Sequence, residues 1–326
     1  MQTRKLGNSD LNITPLGVGS WAIGGPEGNY NWGPQNDEDS IRAIRVAVEK
    51  GINWIDTAPA YGKGHSEEVV GKAIKGLSAK PYVFTKNSLA WGKDRVITNC
   101  LKADSVRLEC EESLKRLGVE TLDLWQIHWP NPDSDVEEGW GEMVRLKKEG
   151  KVRWIGVSNF TPAQMKRAQA ISPVTSLQPP YSAVRRDIEK EILPFCKENG
   201  IGVIVYSPMQ AGILSGRMTR ERIQNMAETD WRRNNDQFKE PLLARNLALQ
   251  DLLGKIGARH GHNAGVAALA WALRRVEVTG AIVGIRHSDQ VEGLIAAGDF
   301  RLSKDEIEEV DKLFSAKTEP AMVLES

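Results

Sequence analysis

The sequence predicts an α/β fold, a (β/α)8 TIM barrel with a short N-terminal β-hairpin, forming one domain over residues 1–326. Three observations predict it. Short β-rich runs alternate with amphipathic helical stretches from one end of the chain to the other, the pattern of parallel strands joined by crossover helices. The β-rich runs number eight, and no low-complexity stretch or break in composition marks a linker. A chain of 326 residues, 40% of them hydrophobic, suffices for one large barrel with a full core.

In chain order, TRKLGNSDLNIT (3–14) sets the turn residues Gly7 to Asp10 between two short extended runs and predicts a hairpin under the barrel. Strands are expected at LGVG (16–19), NWID (53–56), YVFT (82–85), DLWQIH (123–128), WIGVS (154–158), TSLQ (175–178), GVIVYS (202–207) and AIVG (281–284). DEDSIRAIRVAVEKG (37–51) reads as a helix with an apolar stripe at Ile41, Ile44 and Val48, stopped by Gly51. DSVRLECEESLKRLG (104–118) reads as another, with Val106, Cys110, Leu114 and Leu117 inward and Gly118 at its end. After GVIVYS a long, charged, weakly periodic excursion precedes the helix near LLARNLALQDLLGKIG, and at a barrel mouth such a segment suits a lid or binding loop.

Charge balances at 43 basic against 43 acidic residues, so no net field draws the chain to nucleic acid or to an anionic membrane. Three scattered cysteines, Cys100, Cys110 and Cys196, form no metal-ligand spacing and suit a reducing compartment. No apolar run has signal-peptide or membrane-spanning character, so the expectation is a cytoplasmic protein without membrane contact. Nothing demands a protein partner, and a monomer is the default. A metal-dependent hydrolase fails for want of ligands at strand ends, since His260 and His262 sit near a helix end.

A barrel gathers its functional groups where its strands finish. The last residues of the predicted strands are Asp56, Lys86, His128, Ser158 with Asn159, Gln178, Tyr206 with Ser207, and Gly284. In NWIDTAPAYG (53–62), Asp56 ends an apolar run, and a buried carboxylate needs a partner. Lys86 on the next strand supplies one. Taken singly, Asp56 reads as a cap, Lys86 and Tyr61 as rim residues, and His128 as structural; four at successive strand ends form a set. Tyrosine, lysine, aspartate and histidine together suit delivery of a proton to an oxygen that becomes negative. The expectation is that Lys86 lowers the pKa of Tyr61, Asp56 holds Lys86 charged, and His128 donates a hydrogen bond to the substrate oxygen.

These residues lie in segments that resemble the aldo-keto reductase family, in its bacterial oxidoreductase branch: GINWIDTAPAYG (51–62), VFTK (83–86), TLDLWQIHWP (121–130), GKVRWIGVSNF (150–160), YSPMQAGILSG (206–216) and GIRHSDQ (284–290). The resemblance spans nearly the whole chain, in the family's order and spacing. It implies an enzyme that transfers hydride reversibly between a nicotinamide and the carbonyl carbon of an aldehyde, ketone or sugar, with Tyr61 as general acid/base and Asp56, Lys86 and His128 beside it.

The resemblance also implies an extended dinucleotide at the barrel mouth without a Rossmann fold. Gly17, Gly19 and Ala22 fit a loose G-x-G-x-x-A, yet IGGPEGNYNWGP (23–34) follows instead of a helix. Ser158, Asn159 and Gln178 are expected on the carboxamide, and Tyr206 stacked on the nicotinamide ring. Ser20, Trp21, Asp56, Pro208, Met209, Gly212 and Gly284 complete the expected contacts. Amides of the small-residue segment Ser207–Gly216, with Ser215 and Arg217, are expected near phosphates, and Arg286 and Gln290 at the adenosine end. Arg286 tilts the choice to NADP(H), because a guanidinium grips a 2′-phosphate through paired hydrogen bonds. Gly293 and Leu294 stand where many relatives carry a Glu-Asn clasp on the adenine, so NAD(H) stays open.

Ten tryptophans are many for this aromatic content. Trp21, Trp32, Trp91 and Trp129 fall in expected mouth loops, where with Tyr61 and His128 they wall a pocket for a small-molecule carbonyl or sugar. Trp54, Trp125 and Trp154 read as core. Two alternatives accompany the reductase reading: a sugar or polyol dehydrogenase running in the oxidising direction, and a weakly catalytic, cofactor-binding redox-sensing subunit, against which the intact His128 argues.

Overall fold

A computed structural model describes residues 1–27, 31–92, 94, 96–228 and 230–316. The expected hairpin is present as β1 (Arg4–Lys5) and β2 (Asn12–Ile13), antiparallel. The barrel strands follow as β3 (Leu16–Gly19), β4 (Trp54–Asp56) and β5 (Tyr82–Asn87). A second hairpin, β6 (Leu89–Trp91) with β7 (Ile97–Asn99), rises directly from the end of β5 and was not foreseen from the sequence. The barrel then continues through β8 (Leu122–Ile127), β9 (Val152–Ser158), β10 (Ser176–Gln178), β11 (Gly202–Val205) and β12 (Val278–Gly284). These eight parallel strands close in the order β3-β4-β5-β8-β9-β10-β11-β12 and back to β3.

The helices are α1 (Asp37–Glu49), α2 (His65–Ile74), α3 (Ala103–Leu117), α4 (Val136–Lys148), α5 (Pro162–Gln169), α6 (Ile192–Glu198), α7 (Arg220–Gln224), α8 (Leu242–Arg259), α9 (Ala264–Ala272), α10 (Ser288–Leu294) and α11 (Lys304–Ala316). In α1, Ile44 is fully buried while Ile41 and Val48 sit at the edge of the stripe, whose centre is Ala43, Ile44 and Ala47. Val106, Cys110 and Leu117 of α3 are buried as expected, and Gly118 ends that helix in the left-handed region at φ 66°. Among the described residues no helix is long and apolar enough to cross a membrane.

Two cores result. The larger lies between barrel and helices. The smaller fills the barrel interior, where Leu6, Leu11 and Ile13 of the N-terminal hairpin meet Trp54, Phe84, Leu124, Ile204 and Ile282. Trp54 ties hairpin to barrel, its indole N–H donating to Thr14 O at 2.8 Å. Gly17 makes room for that indole, since a Cβ there would stand 2.2 Å from the ring. With its floor plugged, the barrel leaves the opposite end, where the strands finish, for chemistry.

Candidate active site

Asp56 closes β4, Lys86 is the penultimate residue of β5, and His128 follows β8 directly, so three adjacent strands deliver them to one mouth. Tyr61 comes from the turn after β4. That turn is clamped to the loop after β3: Gly62 has φ 64°, and a Cβ there would lie 1.9 Å from Gly24 O. Lys86 Nζ donates to Asp56 Oδ2 at 2.6 Å, to Thr57 O at 2.9 Å and to Tyr61 Oη at 3.4 Å. The second oxygen of Asp56 accepts from Gln178 Nε2 at 2.8 Å. The partner expected for Asp56 is therefore Lys86, and both side chains are buried.

Burial pushes Asp56 up and Lys86 down from their ordinary values, each ion opposing the other's shift. The expected lowering of Tyr61 is reversed. Burial first, and then the Asp56 charge, push the phenol well above its usual value. The physical reason is that Lys86 is committed to Asp56 at 2.6 Å, so the cost of taking a phenolate out of water dominates and the Asp56 charge adds to it. Tyr61 is thus a protonated phenol at neutral pH. Burial and the Lys86 charge push His128 well below its ordinary value and keep its imidazole neutral. Its ring meets Tyr61 edge-on at 5.8 Å, and its buried Nδ1 has no hydrogen-bond partner among the described residues.

On the far side of the mouth Ser158 Oγ donates to Gln178 O at 2.8 Å and accepts from Asn159 Nδ2 at 3.0 Å. Asn159 adopts φ 61°, a left-handed conformation that asparagine tolerates, and its amide also donates to His128 O at 3.0 Å. Tyr206, expected as a stacking ring, is tethered by its hydroxyl, which donates to Asn159 Oδ1 at 2.9 Å. Burial pushes that phenol up to about 12. Ser158, Asn159, Gln178 and Tyr206 form one hydrogen-bonded unit beside His128.

The segment beginning at Ser207 carries positive φ at Ser207, Gln210, Ala211 and Gly212. Pro208 is buried and Met209 half-buried. Its amides differ from expectation: those of Gln210, Gly212, Ile213, Leu214 and Ser215 bond carbonyls within the segment, and that of Gly216 bonds Gln250 Oε1. Tight turns consume the donors that open loops leave available. Ser215 Oγ donates to Gly212 O, while Arg217 is exposed, with no ion-pair partner for its guanidinium among the described residues.

Gly284 ends β12 with open space over its Cα, and a Cβ there would touch nothing within 4 Å. Arg286, just beyond, donates to Gln35 Oε1 at 2.5 Å, Trp32 O at 3.3 Å and Pro34 O at 2.5 Å. No carboxylate pairs with it among the described residues, and burial together with the Arg232 charge lowers its pKa. Gln290 turns its Oε1 to the amides of Arg286 and His287, serving as a cap for α10. Gly293 and Leu294 close that helix, Leu294 packing against the large core.

Ser20 is wholly buried, its hydroxyl accepting from Ser66 Oγ at 2.7 Å. Trp21 lies 6.3 Å from Tyr61, ring centre to ring centre, and meets Trp32 edge-on at 5.4 Å. Trp231, from a 3-10 turn in the long excursion after β11, covers Trp21 at 5.3 Å and Trp32 at 5.6 Å. Trp129 is exposed and stacked near His128. Trp91 stands apart from the cluster on β6, against Arg116. Sequence reasoning missed Trp231, Gln35 and Arg232; the WRR run in a charged loop was the available signal for two of them. Among the described residues no group of three or more His, Cys, Asp or Glu can hold a metal.

Comparison with known proteins agrees with this geometry. The family model described as the aldo/keto reductase family matches residues 15–314. The chain is 35% identical to the aldo-keto reductase YhdN of Bacillus subtilis, over 96% of this chain and 93% of that one. It is 32% identical to the NADH-specific methylglyoxal reductase of Escherichia coli, over 93% and 95%. Among solved structures it resembles the glycerol dehydrogenase AKR11B4 from Gluconobacter oxydans, with a TM-score of 0.88 at 34% identity, covering 98% of this chain and 97% of that one.

Proposed function

The chain belongs to the aldo/keto reductase family, and from that premise we propose that it is an NADP(H)-dependent oxidoreductase acting on the carbonyl of an aldehyde, ketone or sugar, with Tyr61 as general acid/base. The observation that carries this reading is the chain of contacts from Asp56 through Lys86 to the Tyr61 hydroxyl, with the neutral His128 ring beside it.

The residues present fit a dinucleotide phosphate. Arg286 is a guanidinium in the field of Arg232 with no carboxylate of its own among the described residues, and its donors rest on an amide and two carbonyl oxygens that an anion can replace. Arg217 and Ser215 would take the diphosphate, and the unit of Ser158, Asn159 and Gln178 would take the carboxamide. When bound, the nicotinamide supplies or accepts the hydride. Tyr61, protonated because it is buried, donates its proton to the carbonyl oxygen as that oxygen becomes negative. Lys86 stabilises the phenolate left behind, and Asp56 keeps the ammonium charged and aimed. Neutral His128 orients the oxygen with an N–H. Trp21, Trp32 and Trp231 exclude water above Tyr61.

Burial keeps the Tyr61 phenol protonated at neutral pH, the form from which carbonyl reduction starts, and the same residues serve the polyol dehydrogenase direction from the phenolate. The relatives leave NAD(H) open, one of them being named NADH-specific. Initial rates of NADPH and NADH oxidation against aromatic aldehydes, dicarbonyls and sugars test the proposal. Preference for NADPH with turnover on a carbonyl supports it; tight cofactor binding without turnover in either direction removes it in favour of a sensing subunit.

A further inference from the structure

Behind the relay lies a second buried carboxylate. Glu67, in the first turn of α2, has no exposed surface, and its Oε1 accepts from the Thr85 hydroxyl at 2.6 Å while its Oε2 accepts from Arg116 Nε at 2.6 Å. Thr85 precedes Lys86 in β5. Strand alternation sends Thr85 toward α2 and Lys86 to the opposite face, so a hand on Thr85 fixes the position of Lys86. The backbone is arranged to admit Arg116: Gly64 has φ 96°, and a Cβ there would meet Arg116 Cδ at 2.7 Å.

The same helical turn reaches Tyr61. Ser66 N donates to Tyr61 O at 3.2 Å, and Ser66 Oγ contacts Ser20 Oγ at 2.7 Å and Thr57 Oγ1 at 3.1 Å. The Ser66–Glu67 pair therefore ties the Tyr61 backbone and, through Thr85, the strand that carries Lys86 to one helical turn. Lys86 is faced by Asp56, Tyr61, His128, Tyr206 and, from behind, Glu67. Burial works against its charge, and Asp56 and then Glu67 work for it.

We propose that Glu67 is a positioning residue of the proton relay, which fixes Lys86 through Thr85 and lends its negative charge to keep the ammonium protonated beside Tyr61. This rests on the reductase reading above. The step itself adds no new chemistry, since Glu67 touches neither substrate nor reacting atoms.

The test is the pH profile of kcat/KM in the full chain, with cofactor affinity read separately by tryptophan fluorescence quenching. Glu67→Gln is expected to lower kcat on the order of tenfold and to move the alkaline limb down by about one pH unit, with cofactor Kd unchanged within about threefold. Glu67→Asp keeps the charge and shortens the reach, so it should hold the limb in place while lowering the melting temperature. Glu67→Gln/Arg116→Gln removes the stranded cation, so it should recover melting temperature and leave the limb lowered. A limb that returns to its wild-type position in the double variant, or one that never moves in folded Glu67→Gln, overturns the proposal and leaves Glu67 as the counter-ion of Arg116. Should Glu67→Gln fail to fold, Glu67→Asp and the double variant decide. Full turnover in Tyr61→Phe would instead sink the relay reading and this proposal with it.

Discussion

Lys86 Nζ stands 2.6 Å from Asp56 Oδ2 and 3.4 Å from Tyr61 Oη, and neither Lys86 nor Asp56 is more than marginally exposed. A buried ion pair is costly to break, because removing one partner strands the other's charge. Here the pair also holds the Tyr61 hydroxyl, through the Lys86 ammonium.

Lys86→Met should therefore fail twice. Turnover falls by about a hundredfold or more, and stability falls by about 3 kcal/mol because Asp56 is left buried without its counter-ion. Asp56→Asn/Lys86→Met should recover most of the stability and none of the turnover. Urea unfolding beside steady-state rates measures both; a double variant no more stable than Lys86→Met would contradict the pairing argument.

Arg286→Ala should separate the two cofactors. Losing a charge-assisted grip on one phosphate costs about 1.5–3 kcal/mol, so the NADPH Kd should rise by roughly ten- to a hundredfold. NADH binding should change by less than about threefold. Fluorescence titration of each cofactor reads the difference, and equal weakening would remove Arg286 from the 2′-phosphate.

His128 should leave no histidine limb in the rate profile between about pH 6 and 8. Its folded pKa is pushed well below its ordinary value, so the neutral ring persists through that range. The unfolded chain takes up the proton that the folded ring refuses. Stability should accordingly be full above the ordinary histidine pKa of about 6.5 and fall as pH drops below it. Thermal melts of wild type and His128→Gln from pH 5 to 8 measure the contribution; superimposable curves would contradict it.

Glu109, on α3, presents the opposite sign. Burial pushes it up to about 8, against hydrogen bonds from the Ser88 and Leu89 amides and the Ser105 hydroxyl. A raised carboxyl pKa means that the folded state holds the proton more tightly, so its stabilisation is present below the unfolded value and is lost as pH rises toward 8. Glu109→Gln should gain a few kcal/mol at pH 8 relative to wild type and nothing at pH 4. Denaturant midpoints at the two pH values decide it.

The eight strands and the N-terminal hairpin were legible because the barrel strands are short apolar runs, several of them ending in a polar residue, as NWID ends at Asp56. Asp56 and Lys86 were legible as a pair because a buried acid implies a cation and β5 follows β4. The β6–β7 hairpin was not, because LAW and ITN are half-buried or exposed strands with no alternating core face to betray them. The Tyr61 pKa had the wrong sign because residue types show neighbours and not which charge is already spent. Trp231 lies about 170 residues from Tyr61 in a loop of weak periodicity, and only the folded chain shows that it covers Trp21. Gln35 holds Arg286 across 251 positions, a separation that no local pattern spans.

The most direct measurement is the single-turnover rate of carbonyl reduction in Tyr61→Phe, beside the Kd of that variant for NADPH. The account predicts a fall on the order of a hundredfold or more in the rate, with Kd within about threefold of wild type. A variant that reduces substrate at the wild-type rate would contradict Tyr61 as the proton donor.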